Sequence, residues 1–263
     1  MMVVDLLRAE ALRALRAPLV RGAWVLTLLV PLLILLLAEF ALMQPGAATL
    51  RFPASIARVG EMLPVVTLVT PSLLMAWLVG VEQTTDTWKL LLVRRPGRVT
   101  FLAAKFLVAL AVVLALLVAI ALVWLPVLEV AGGVAGQPRG VGGVAVEQGL
   151  VSLVAAMIVS PALLAVALLL AVVVRRQGTI VGAFSGILCS VLTASIDAGS
   201  PTPLLFLMPA QRLAAGLLGS EAHPDLLQLD PLRSAVVLAV WVVGPLAIAG
   251  LVFSRRDIES GAA

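Results

Sequence analysis

Side chains capable of chemistry are scarce in this sequence, and the densest group of them falls between residues 82 and 98. It runs Glu82-Gln83-Thr84-Thr85-Asp86-Thr87-Trp88-Lys89, then Leu90-Leu91-Leu92-Val93-Arg94-Arg95-Pro96-Gly97-Arg98. An acid carried to the middle of a bilayer costs about 2.5–3.5 kcal/mol on insertion scales, so Glu82 and Asp86 mark an exit from lipid into water. A helix over 82–95 puts Trp88, Leu91, Leu92 and Arg95 at i, i+3, i+4 and i+7. That face suits a groove on a partner protein, or the headgroup layer of a membrane. Pro96-Gly97 ends the helix. The chemistry on offer is recognition: Glu82, Asp86, Trp88, Lys89, Leu91, Leu92 and Arg95 form a candidate docking surface. The competing reading is a helix that rests on the membrane.

Catalytic chemistry has little to work with. The single histidine, His223, stands beside Pro224 in a polar stretch and reads as solvated. No cluster of Cys, His and Asp has metal-ligand spacing, so no metal or other cofactor is expected on this chain. A nucleophile elbow and a Walker A loop are also lacking. The Gly-rich run 132–143 does not end in Gly-Lys-Ser/Thr. One cysteine, Cys189, makes no internal disulfide and leaves the redox compartment open. Glu39, Glu129 and Asp197 all fall near the ends of apolar segments, where an acid reaches water. A pore without charged groups at mid-membrane, broken helices or a filter sequence is not expected to select ions.

The surrounding elements are greasy. Of 263 residues 62% are hydrophobic and 12% charged, against about a quarter charged in soluble domains. With a mean hydropathy of +1.17, the sequence reads as an all-α, polytopic integral membrane protein forming a single transmembrane domain, 1–263. A bilayer core takes about 20 apolar residues per helix. Six segments qualify: 22–43, 62–81, 101–128, 150–174, 178–196 and 232–253. The third and fourth are over-long, which predicts tilt or extension into water. Pro31, Pro71, Pro161 and Pro245 predict kinks. The longest stretch between spans is too short for a soluble domain.

The net charge of +4 comes without a basic stripe interleaved with aromatics, so nucleic acid is not an expected partner. The cations instead set topology. Most of the 18 Lys and Arg fall on one side: Arg8, Arg13, Arg16, Arg21, Lys89, Arg94, Arg95, Arg98, Lys105, Arg175, Arg176, Arg255 and Arg256. Arg51, Arg58, Arg139, Arg212 and Arg233 fall on the other. The positive-inside rule then makes both termini cytoplasmic, as an even number of spans also requires.

Residues 4–17 predict an amphipathic interfacial helix along the inner leaflet, with Leu7, Ala11, Ala14 and Leu15 on one face and Asp5, Arg13 and Arg16 on the other; Leu6 and Leu12 break the pattern. A plain topology anchor is the simpler alternative. Of the outer loops, 129–149 is Gly-rich and reads as flexible. In 197–231 the run Arg212–Leu218 is too short to span and reads as a helix in or dipping into the outer leaflet. In the fifth span Gly178, Gly182, Gly186, Ser190 and Ala194 recur every fourth residue, a small-residue ridge that lets another backbone come close. It serves packing within one chain or an interface with a second one. Trp77 and Trp124 lie toward span ends and read as interfacial anchors. Trp24 and Trp241 lie within the first and last spans.

The sequence resembles the six-span exporter-type permeases of ABC transporters, especially the branch of bacitracin-resistance and lantibiotic-immunity permeases. The resemblance rests on Glu82 at the end of span two, Thr87-Trp88-Lys89-Leu90-Leu91, Pro96-Gly97-Arg98, Ala104-Lys105-Phe106 opening span three, and the closing Phe253-Ser254-Arg255-Arg256-Asp257. As architecture it covers nearly the whole chain; at residue level it covers about 82–106. It implies a non-catalytic transport subunit in a bacterial cytoplasmic membrane, exporting a hydrophobic or amphipathic substrate such as a drug, an antimicrobial peptide or a lipid. It also implies two copies of an ABC ATPase that bind the ATP and Mg, a second permease of the same or a homologous chain, and a role for 82–98 as coupling loop. The span-five ridge would then sit at the permease–permease interface. The sequence departs from the family in its very short second inner loop, Arg175-Arg176-Gln177. Rival readings are a scaffold or immunity protein without transport, and a lipid-handling membrane enzyme, for which clustered acids, histidines or cysteines are wanting.

Overall fold

The computed structural model describes residues 2–18, 20–22, 25, 29, 70–80, 97–134, 139–174, 207–219 and 230–255. Their regular structure is helical throughout, with no strand among the described residues. The helices are α1 (Met2–Arg16), α2 (Thr70–Gly80), α3 (Arg98–Val134), α4 (Arg139–Val173), α5 (Leu207–Leu218) and α6 (Pro231–Arg255). Apolar stretches in α3, α4 and α6 are long enough to cross a membrane: Arg98–Val123, Leu150–Val173 and Pro231–Arg255. The molecule is a helical membrane protein. The expected first span is described only at scattered helical residues, and the fifth, with Gly178, Gly182, Gly186, Ser190 and Ala194, lies outside the described residues.

At 1.5 Å per residue, the 37 residues of α3 and 35 of α4 make rods of about 55 and 52 Å, well beyond a ~30 Å hydrocarbon core. The over-long spans of the sequence are thus continuous helices. The Gly-rich stretch read as a flexible loop over 129–149 is helical to Val134 and again from Arg139. Glycine weakens a helix by only about 1 kcal/mol per residue, which continuation of a packed rod can outweigh. The short helix expected at Arg212–Leu218 exists as α5, begins earlier at Leu207, and ends at Gly219, whose φ of 63° suits a left-handed helix stop.

The start of α6 is fixed locally. The Asp230 carboxylate accepts a bond from the Leu232 N–H at 3.0 Å, and Pro231 stands at the first helical position, where its missing N–H costs nothing. Pro161 and Pro245 lie inside α4 and α6. Each leaves a carbonyl four residues earlier without its usual donor. Beside the first of these, the buried Ser160 hydroxyl donates to the Ala156 carbonyl at 2.6 Å.

The hub is α4, which packs on α3, α5 and α6. One side carries Leu164, Ala165, Leu168, Ala171 and Val172 in a core shared with α1, α2, α3 and the end of α6. The other carries Val151, Ala155, Val159, Ala162 and Leu163 against Ala210, Ala214 and Ala215 of α5 and Leu238 of α6. Both sides are rich in alanine because lipid is as apolar as leucine; close backbone approach and dispersion hold membrane helices together. By contrast, Leu232, Val236, Val240, Val243, Ile248 and Leu251 of α6 are exposed, a stripe suited to hydrocarbon.

Replacing the fully buried Ala214 by leucine should therefore force α4 and α5 apart, at a cost of about 1–3 kcal/mol. Thermal unfolding of the purified variant in mild detergent should show a lower midpoint than the parent chain.

Candidate functional site at the junction of four helices

The side chains of chemical interest among the described residues meet where α3 begins. Gly97 enters α3 with φ 98°, a left-handed conformation that disfavours any side chain, and a Cβ there would stand 2.8 Å from the Thr100 hydroxyl oxygen. Of the turn expected from Pro96-Gly97, only Gly97 is described, and its backbone is left-handed. Two turns into α3 lies Lys105, with a side chain only 1% exposed. Its Nζ donates to Glu10 Oε2 at 3.1 Å and reaches the Leu78 carbonyl at 3.5 Å. The ammonium also lies 4.9 Å from the centre of the Phe101 ring, within cation–π range.

One ammonium therefore ties α1, α2 and α3 together. A buried charge is tolerated when it is paired and hydrogen-bonded, and Glu10, 6% exposed, supplies the opposite charge. The Arg98 guanidinium adds a fourth element: Nη1 donates to the Ser254 carbonyl of α6 at 3.0 Å. That carbonyl belongs to the last described turn of α6, where a cation also complements the helix dipole. Helix α6 thus ends on the side where α3 begins.

The tie fixes the roll of α1. Its buried residues are Leu6, Glu10 and Ala14, followed by Ala17, spaced by four, four and three. Of the apolar face expected on Leu7, Ala11, Ala14 and Leu15, the first three do pack on the core, whereas Leu15 is corrected: it is exposed, and Leu6 is buried in its stead, so the inward face is shifted toward Leu6 and Glu10. The cause is Glu10, whose ion pair outweighs the exposure of a leucine. Beyond α1, the Ala17 N–H bonds back to the Ala14 carbonyl, Pro18 opens a new helical segment, and the Arg21 N–H bonds to the Ala17 carbonyl. Proline at the first position of a helical segment costs no hydrogen bond, which lets the chain break at Ala17 and resume.

Lys105 and Arg98 were legible in the sequence as topology-setting cations, and both stand in the motif that carries the family resemblance. Their partners, Glu10 and Ser254, were missed. The signal for Glu10 was an acid placed at i+4 from Leu6 and i−4 from Ala14, inside an otherwise apolar stripe. The residues expected to form a docking surface, Glu82, Asp86, Trp88, Lys89, Leu91, Leu92 and Arg95, lie outside the described residues, between Gly80 of α2 and Gly97. So do Glu39, Asp197, Cys189 and His223. Among the described residues no group of His, Cys, Asp and Glu could hold a metal ion.

A family model described as a protein of unknown function, DUF2705, matches residues 27–259. The chain belongs to the DUF2705 family. Curated proteins give no match. The DUF2705 match takes in α2 to α6 and both Lys105 and Arg98, whereas α1 and Glu10 precede it.

Breaking a buried pair by removing one partner costs about 3–5 kcal/mol, whereas replacing both by apolar groups is often neutral. Lys105→Met and Glu10→Leu are each expected to lower the unfolding midpoint strongly in detergent, and the double variant to recover most of the loss; a double-mutant cycle by thermal unfolding checks it. Gly97→Ala should also destabilise, by about 1–2 kcal/mol, because of its left-handed backbone.

Proposed function

We propose that this chain is the transmembrane permease subunit of an ATP-driven exporter of the ABC type, moving a hydrophobic or amphipathic substrate and energised by a separate ATPase. The observation that carries this reading is the junction at the two roots of segment 81–96. Lys105 holds the last described turn of α2 to the first turns of α3 and to α1, and Arg98 holds α3 to α6. A soluble partner gripping Trp88, Leu91, Leu92 and Arg95 would pull on a braced unit of four helices. Movement would pass into the membrane instead of being lost in a slack loop.

In this reading the chain performs no catalysis. ATP and Mg belong to the partner ATPase, present in two copies. Two permeases, identical or homologous, face each other across a path walled by apolar side chains, with the ridge Gly178, Gly182, Gly186, Ser190 and Ala194 at their interface. Six spans place both termini in the cytoplasm of a bacterial cell, with the docking segment on the same side as α1 and the end of α6. The uncovered apolar stripe of α6 suits contact with lipid.

The test is purification from native cells in mild detergent, with mass spectrometry of the proteins that come along. A stoichiometric ATPase carrying a Walker A loop is expected, and Trp88→Ala combined with Arg95→Glu should abolish its association and ATP-driven export. An intact chain that carries no ATPase, or a double variant that exports normally, would overturn the reading in favour of a scaffold or immunity role.

A further inference from the structure

Helix α6 packs more extensively on α4 than on any other described helix, and each of the two carries a proline, Pro245 and Pro161. The pair runs in one direction. Upstream, Val151, Val159 and Leu163 of α4 share a core with Leu238 of α6 and with α5. Downstream, Leu164, Leu168 and Val172 of α4 share the other core with Ala249 and Phe253 of α6. Helix α4 leaves the core of α5 at Leu163, two residues past its proline, and α6 changes cores at Val242, three residues before its own. At 1.5 Å per residue the prolines stand about 18 and 15 Å from the ends of α4 and α6. The two weak points are therefore level.

We propose that Ser160-Pro161 and Gly244-Pro245 form one matched hinge, about which the upstream parts of α4 and α6 swing together and carry α5 with them. A soft point in one helix alone would be splinted by a straight neighbour; two at one level let the pair bend. The residue before each proline softens its helix further. Pro161 takes the usual donor from the Met157 carbonyl, a vacancy that a nearby hydroxyl commonly fills in membrane helices. The fully buried Ser160 hydroxyl instead donates to Ala156 at 2.6 Å. A change of χ1 carries a serine hydroxyl from the carbonyl four residues back to the one three back, which here is Met157. Ser160 thus has two partners to choose between, and helix bending follows the choice. On α6 a Cβ added to Gly244 would meet nothing within 4 Å. Packing does not require glycine there; its effect is to weaken the helix beside Pro245. The proposal needs only these helices, not the export reading.

The test is electron–electron double resonance on the full-length protein in lipid nanodiscs, with the single cysteine removed as Cys189→Ser. Spin labels go on Leu217→Cys of α5, paired with Val4→Cys of α1 in one sample and with Val99→Cys of α3 in another; all three positions are well exposed. A bend of ~20° acting over the roughly 15 Å from Pro161 to Val151 moves α5 by about 5 Å. At least one pair should therefore show two distance populations separated by about that amount. Ser160→Ala removes the choice of partner and should merge them into one. Gly244→Ala stiffens α6 without a clash and should merge them as well, although it lies on the other helix. Gly250→Ala, equally free of contacts on α6, should leave both populations in place. A single population in both pairs of the parent protein overturns the proposal. So do two populations that persist in either hinge variant, and merging by Gly250→Ala to the same extent.

Discussion

A lysine ammonium out of reach of water has to be answered by its surroundings, and the answer organises one end of this molecule. Lys105 is met by a carboxylate from α1, a carbonyl from α2 and the ring of Phe101 on its own helix. Each of these comes from a different place in the chain, so satisfying one charge fixes the relative positions of three helices. The effect is specific in a way that apolar packing is not. Alanine and leucine contacts can slide by a residue with little loss, whereas a charge left without its partner is strongly unfavourable. Arg98 extends the same logic to α6 through a backbone carbonyl.

Elsewhere the molecule is held by shape. The alanines of α4 and α5 let backbones approach, and the two faces of α4 divide the interior into two cores that share this helix. Two buried serines of this apolar frame are answered by a carbonyl four residues earlier, Ser160 by Ala156 and Ser234 by Asp230. The ion pair at Lys105 differs in bridging residues 95 positions apart.

Much of the architecture was legible because membrane physics leaves few choices. Runs of apolar residues had to become helices, and 101–128, 150–174 and 232–253 did, within a few residues at most of their boundaries. The loop at 129–149 was misread because glycine content was weighed above the momentum of two long helices. The face of α1 was read rightly at Leu7, Ala11 and Ala14 and wrongly at Leu15 and Leu6, because each position was scored by its own hydropathy, and an acid is ordinarily placed outward. Only knowledge that Lys105 stands opposite reverses that sign for Glu10, and such a pairing is not encoded in local periodicity. Residues 82–95 stand out in the sequence as a polar island, but the junction between α2 and α3 that flanks them was not legible. Its contacts join residues far apart in the chain.

The lengths of α3 and α4 give the junction a mechanical meaning. From Lys105 to Val123, before Pro126, α3 runs for about 27 Å as one rod. A rod pinned near one end behaves as a pointer: tilting it by ~10° about Lys105 sweeps its far tip through roughly 5 Å, while the pinned end hardly moves. Displacements too small to break the contacts of Glu10 and Leu78 would thus arrive at the opposite surface as movements of more than a helix radius.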